Sequence, residues 1–303
     1  MGMFKSFRHR LRRAILPPGI LRDLEALRLS QGRILTELNR AKSPAELREC
    51  EFRVFSQFGE DGIIQKLIST IPIPNKMFIE FGVEDFLESN CRFLMMNDNW
   101  RGFVVDGSER WISAVRQHDW FWKYDLNARC AVISRDNINA ELLRSGFPSD
   151  IGVLSIDVDG IDYWLVEALS AYSPRILIVE YNSVFGSERK ISVPYDPAFS
   201  RRARHFSELY YGASLGALEF IAAKKGYSLV GTESAGVNAF FVRNDLMNHG
   251  LRKLAVGEAH SVAQFRQSRN AEGMLNYLSG EARYDAIRGL PVVNVETGEP
   301  ERL

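Results

Sequence analysis

The spacing of apolar positions changes character along the chain, and each change predicts a different element. Phe4, Phe7, Leu11 and Ile15 recur at helical spacing with Lys5, Arg8, Arg10, Arg12 and Arg13 between them, the pattern of a short basic amphipathic helix able to rest on anionic headgroups. Pro17-Pro18-Gly19 stops it. Ile20, Leu24, Leu27, Gln31, Ile34 and Leu38 then follow a 4-3-4-3-4 spacing, a coiled-coil seam of nearly three heptads. Such a stripe has to be covered, either by its own domain or by a second chain. Ser43-Pro44 ends this helix, and residues 45–70 read as a helical lead into the main domain.

From residue 77 short apolar runs alternate with helix-length segments, which predicts a doubly wound α/β sheet. Strands are expected at 77–83, 101–107, 129–134, 151–159 and 175–182, with helices near 89–98, 109–117, 137–145 and 161–170. After a helix at 213–225, strands at 227–234 and 238–243 are joined by Ala235-Gly236, which predicts a terminal antiparallel pair. Five β/α units followed by a hairpin give a mostly parallel seven-stranded Rossmann-like sheet in the order of a class I methyltransferase, carrying an N-terminal helical extension. The expected divisions are 1–45, 46–250 and 251–303, the last with a helix-like stretch at 257–280 and a tail from about 290.

Composition narrows the class. The 303 residues include 38 Lys or Arg and 38 Asp or Glu, with 46% apolar and 25% charged, the proportions of an ordinary globular protein and not of a disordered chain, a collagen or a general nucleic-acid binder. Neutrality hides an asymmetry. Residues 1–42 hold ten Lys or Arg against Asp23, Glu25 and Glu37, so a front end of charge +7 precedes a body of −7. Cys50, Cys91 and Cys130 are odd in number and far apart, which predicts neither a disulfide framework nor a structural zinc site and fits a reducing cytoplasmic setting. No run approaches the roughly 18 apolar residues of a spanning helix. The expected membrane contact is therefore peripheral, at the inner face, through residues 4–15.

In doubly wound sheets ligands sit beyond the carboxyl ends of the strands. Here those ends read Glu80-Phe81-Gly82-Val83, Asp106-Gly107-Ser108, Asp157-Val158-Asp159-Gly160 and Glu180-Tyr181-Asn182. A glycine after the first strand admits a ligand close to the backbone, and an acid after the second can accept both hydroxyls of a ribose. Glu80 or Asp106 taken singly reads equally well as a helix cap. No Gly-x-x-x-x-Gly-Lys-Ser/Thr occurs and Gly82 is not followed by further glycines, so phosphate cradling is not expected. A nucleoside ligand without pyrophosphate, such as S-adenosylmethionine, suits these ends.

At these residues the chain resembles the FkbM-type S-adenosylmethionine-dependent methyltransferases, or a bacterial branch close to them. The resemblance lies in FSQFGEDGII at 55–64, FIEFGVEDFLESN at 78–90, LSIDVDGIDYWL at 154–165, RILIVEYNSVFG at 175–186 and the segment 210–242. It implies that Glu80 and Gly82 lie at the methionine end of the cofactor, that Asp106 binds the ribose and that Asp157 faces the reacting methyl. The candidate cofactor set is Glu80, Gly82, Val83, Asn90, Asp106, Gly107, Ser108 and Asp157. The chain departs from the family pattern at Asp159, where Glu is usual, and at Glu84-Asp85, where glycines continue the first loop.

Methyl transfer to a hydroxyl needs alignment and removal of one proton. Asp157 and His205, the latter in the long connection 184–210, are the candidate catalytic groups. Asp157, Asp159, Glu180 and Asn182 leave neighbouring strands in pairs two residues apart and offer four oxygens to Mg²⁺ or Mn²⁺; Asp159 and Asn182 read alternatively as caps. Arg201, Arg202 and Arg204 in the long connection would grip an anionic acceptor, or lie in a solvated loop. The expected function is O-methylation of a hydroxyl on a sugar, glycan, glycolipid or secondary metabolite. Two other readings stay open: a metal-dependent glycosyltransferase using Asp157-Val158-Asp159 as a DxD motif, and a non-catalytic partner-binding module. The partners expected are a sugar-containing acceptor and, through residues 20–38, a second copy of the chain, with no nucleic acid.

Overall fold

The computed structural model describes residues 18–42 and 46–303. The expected basic helix at 4–15 and the Ser43-Pro44 stop lie outside the described residues. Ten α-helices are described: α1 Pro18–Arg40, α2 Glu60–Thr70, α3 Arg92–Asp98, α4 Glu109–Arg116, α5 Ile138–Leu143, α6 Asp162–Ala168, α7 Arg201–Arg204, α8 Leu215–Lys224, α9 Val256–Ala259 and α10 Glu281–Asp285. The strands are β1 Met77–Phe81, β2 Arg101–Asp106, β3 Leu126–Cys130, β4 Val153–Ile156, β5 Ile176–Glu180, β6 Ile191–Ser192, β7 Tyr227–Thr232, β8 Asn238–Arg243, β9 Pro291–Asn294 and β10 Pro300–Arg302. No helix among the described residues is long and apolar enough to cross a membrane.

Seven strands form one sheet in the order β3-β2-β1-β4-β5-β8-β7. The first five run parallel, and β8 enters antiparallel to both β5 and β7. This is the class I methyltransferase order, expected from five β/α units closed by a hairpin. Strand side chains alternate between faces, and two apolar layers follow. Ile79, Phe81, Phe103, Val105, Leu154 and Leu177 bury into one layer, while Phe78, Val104, Val153, Ile176 and Phe240 bury into the other. Both faces are covered by helices, so the strands read as nearly continuous apolar runs.

Three elements differ from the sequence pattern. The third strand occupies 126–130 instead of 129–134, because its register to β2 pairs Gly102 with Leu126 and Asp106 with Cys130; Ala131, Val132 and Ile133 then leave the sheet as a wall of the cleft beyond its edge. The lead at 45–70 is helical only at Leu47–Cys50, a 3₁₀ turn, and in α2. Between them Asp61 folds the chain: its Oδ2 accepts the N–H groups of Val54, Phe55 and Ser56 at 2.7, 2.8 and 2.9 Å and the Ser56 hydroxyl at 2.9 Å. A carboxylate meeting four donors stabilises a tight loop without secondary structure, and that loop delivers Gln57 and Phe58 to the cleft. At the C-terminus no helix spans 257–280. Residues 260–280 run irregularly between α9 and α10, with Gln264 N–H donating to Ala235 O and Arg269 N–H to Ser207 O. The supposed tail forms β9 and β10, which join β6 in a second, antiparallel sheet and bury Ile287, Val292 and Leu303 in a third apolar cluster.

Helix α1 is clamped to the body by Arg92. The buried guanidinium lies 4.0 Å above the Phe55 ring and 4.9 Å from that of Trp120 and donates to Glu25 Oε2 at 2.7 Å. Removing one partner of such a pair leaves an uncompensated buried charge, so Glu25→Ala is expected to cost about 3 kcal/mol. Urea denaturation of the variant beside the unaltered chain measures it.

Candidate active site

A cleft of about 730 Å³ opens at the carboxyl ends of β1, β2, β4 and β5, within the size range of small-molecule sites. All eight residues of the expected cofactor set line it: Glu80, Gly82, Val83, Asn90, Asp106, Gly107, Ser108 and Asp157. Gly82 is required by the geometry. Its φ is +82°, and a Cβ placed there would stand 1.5 Å from the carbonyl oxygen of Asp157, because the loop leaving β1 crosses directly over the loop leaving β4.

The acids have different surroundings. Glu80 is buried at the floor, where Oε2 accepts the Ser89 hydroxyl at 2.6 Å and Oε1 the Asn90 N–H at 2.8 Å. It therefore anchors the turn that starts α3, and burial pushes its carboxyl above the usual range. Asp106 ties two loops together, accepting the Glu84 N–H at 2.9 Å and the Ser108 N–H at 2.8 Å. Each oxygen keeps a lone pair for a ligand hydroxyl. Glu84, one of the acids that departs from the family pattern, thus contributes its backbone to the position of Asp106.

Asp157 and Glu180, from the ends of β4 and β5, face one another with Asp162 close by, one carboxylate oxygen of each lying within 4.8 Å of the others. Burial first, and then mutual repulsion among neighbouring acids, pushes both Asp157 and Glu180 well above the ordinary carboxyl range. Asp162 is committed elsewhere, accepting the N–H groups of Val158 at 2.8 Å and Gly160 at 3.0 Å. Glu180 Oε2 is buried without a hydrogen-bond partner in the protein. Glu180 is buried and Asp157 half-buried, and the charge of each disfavours ionisation of the other.

Several expected participants lie elsewhere. Asn182 does not line the cleft: its Oδ1 accepts the Val184 N–H, and its Nδ2 donates to Leu209 O and Tyr211 O at 2.9 Å each. Asp159, in a left-handed conformation at φ 57°, turns to Arg201, with Nη1 donating to Oδ1 at 3.1 Å. The four-oxygen set expected for Mg²⁺ or Mn²⁺ is therefore not assembled: Asn182 is turned away, and Asp159, though it lines the cleft, is paired with Arg201. His205 also stands outside the lining residues; its Nδ1 and the Ser207 hydroxyl are 2.8 Å apart, and its partial burial lowers its pKa. Of Arg201, Arg202 and Arg204, Arg201 faces the cleft, stacked 3.8 Å from the Tyr211 ring centroid. Arg202 and Arg204 pair with Glu208 and Asp196.

The chain pattern gave no hint that residues 260–280 complete the wall. Phe265 and Gln267 line the mouth, and the Phe265 ring stacks on Phe58 with centroids 5.9 Å apart and planes 12° apart. Among the described residues the lining holds eight carboxyl side chains and one cationic one, Arg201. Such a cleft favours a cationic ligand and repels phosphates.

No protein-family model matches the chain, and no curated protein sequence matches it. Among solved structures it is similar to the N-terminal domain of EvdMO1 with SAH bound, at 10% identity over 69% of this chain and 94% of that one, with a TM-score of 0.38. It is also similar to an S-adenosylmethionine-dependent methyltransferase from Clostridium acetobutylicum, at 9% identity over 61% and 90% of the two chains and a TM-score of 0.39. A third is the O-methyltransferase from Bacillus cereus in complex with SAH, at 13% identity over 77% and 94% and a TM-score of 0.37. The class I methyltransferase fold is assigned on the chain's own strand order.

Proposed function

We propose that the chain is an S-adenosylmethionine-dependent O-methyltransferase. The observation that carries this reading is a cleft at the topological ligand position lined by eight acids and one arginine. A sulfonium nucleoside is cationic and lacks phosphate, whereas a sugar nucleotide diphosphate would meet this lining unfavourably. Asp106 accepts the hydroxyls of the nucleoside sugar, and Val132, Ile133 and Trp111 supply apolar walls for its base. Gly82 leaves room for the methionine end beside Glu80 and Asn90.

The cofactor, when bound, supplies a methyl group on a positively charged sulfur that is open to in-line displacement. The chain's residues do the remaining work. The acceptor oxygen approaches beside Asp157 and Glu180, and its proton passes to the carboxylate of that pair as the new C–O bond forms and the C–S bond breaks. Asp157 is the base and Glu180 tunes it. No step is routed through a metal ion. His205, outside the cleft, takes no part in the transfer.

The acceptor side joins two aromatic faces, Phe58 and Phe265, to the side-chain amides of Gln57 and Gln267. Flat apolar faces flanked by amides suit a polyhydroxylated ring, and this supports a sugar-containing acceptor, in line with the FkbM resemblance. Incubation with S-[methyl-³H]adenosylmethionine and a panel of glycosides, glycolipids, phenols and amines tests the reading. Label is expected in a glycosidic hydroxyl, and transfer confined to nitrogen acceptors would overturn it.

The rate has a predictable pH dependence. Asp157 and Glu180 have raised pKa values, so a proton occupies the pair at low pH and blocks the base. The methyl-transfer rate is expected to rise with pH as the pair ionises. Initial rates across a pH series under saturating cofactor check this, and a rate that falls as the pH rises would contradict it.

A further inference from the structure

We propose that the outer face of α1 pairs, parallel and in register, with α1 of a second copy of this chain. This inference is independent of the methyltransferase reading. Helix α1 has two opposed faces. One docks on the body: Thr36 and Asn39 are buried, Asn39 Nδ2 donates to Cys50 O at 2.6 Å, and a Cβ at Gly32 would stand 2.5 Å from Val54 Cγ2. The other face carries the heptad seam. Ile20, Leu24, Leu27, Ile34 and Leu38 are 42–66% exposed, with Gln31 exposed among them. In heptad terms the docked residues occupy the b and f positions, which point directly away from a partner at a and d. Among the described residues the body therefore leaves the a and d positions open.

The occupant is indicated by the charges beside the seam. In a parallel in-register pair the g position of one helix meets the following e position of the other. Asp23 then meets Arg28 of the second copy. An antiparallel pair centred on Gln31 brings Asp23 beside Glu37 instead, a like-charge contact. The present partners, Arg22 with Asp23 and Arg40 with Glu37, are exposed contacts within the helix and readily exchanged. Gln31, a lone polar residue at a central a position, fixes register by meeting its own copy. A helix lying on anionic lipid would carry mainly Lys and Arg along its flanks; this one carries both signs. Fewer than three heptads pair weakly when the helix must first form, but the body already holds α1 folded.

Light scattering and sedimentation of the full chain test the proposal. The unaltered protein is expected at twice the 34.5 kDa chain mass, and Leu27→Glu at the single mass with its fold retained by circular dichroism, since Leu27 is exposed in the single chain. Ile34→Cys, at a d position that faces its own copy only in the parallel register, is expected to oxidise to a covalent dimer. With the half-exposed Cys130 replaced by Ser in both proteins, the chain that keeps Ile34, whose Cys50 and Cys91 are buried, is expected not to. An unaltered chain of single mass, a dimer indifferent to Leu27→Glu, or a dimer in which Ile34→Cys fails to cross-link would each overturn it.

Discussion

Asp157→Asn is expected to lower the methyl-transfer rate under saturating cofactor about 10²–10⁴-fold, the usual range for loss of a positioned base. The melting temperature should hold or rise. Asp157 pushes up the carboxyl of Glu180, and each is pushed up first by its own burial; replacing one with an amide of the same shape removes the repulsion and keeps the volume. Stability gained where activity is lost is the pattern of a strained functional site and the opposite of what a structural acid would show. Glu180→Gln should behave likewise with a smaller rate loss, because Glu180 acts through Asp157. Steady-state rates paired with thermal melts of both variants decide this, and full activity in Asp157→Asn would remove the base from the mechanism.

Gly82→Ala is expected to be among the most damaging single changes in the chain. The added Cβ would enter the position of the Asp157 carbonyl oxygen, 1.5 Å away, and the residue would also hold φ at +82°. Backbone cannot yield there as a flexible side chain could, since the crossing joins the ends of β1 and β4 at the centre of the sheet. A loss on the order of 4 kcal/mol or more is expected, the range reserved for a named steric mechanism. Gly146→Ala is the control. It shares a positive φ, +68°, but its Cβ would meet nothing within 4 Å, so it should cost only about 1–2 kcal/mol from backbone strain. Denaturant midpoints of the two variants separate steric conflict from strain; equal losses would show that the crossing tolerates a methyl group.

The sheet was legible because its strands are buried on both faces. Runs such as Phe78-Ile79-Glu80-Phe81 and Ile176-Leu177-Ile178-Val179 leave little ambiguity about what they form, and the acids that follow them fall on one edge by topology alone. The strand order followed from that, and so did the gathering of those acids along one cleft. Legibility failed where backbone hydrogen bonds end in loops. Residues 54–58 are folded by the Asp61 carboxylate, which has no periodic signature, and residues 260–280 are held by scattered bonds to other loops. Apolar spacing misplaced β3 because Ala131, Val132 and Ile133 face the cleft, so a strand-like run serves as a wall. The expected four-ligand metal set failed for a local reason. Residues two apart share a side only while the strand continues, and the chain turns left-handed at Asp159 and into a 3₁₀ turn after Asn182.

Calorimetric titration of the purified chain with S-adenosylhomocysteine, beside Asp106→Ala, tests the central claim most directly. The expected result is saturable one-site binding that needs no added Mg²⁺ and is lost in the variant while its fold, read by circular dichroism, is kept. A folded chain that takes up no S-adenosylhomocysteine, or one that binds it equally well without the Asp106 carboxylate, would contradict the cofactor site described at the carboxyl edge of the sheet.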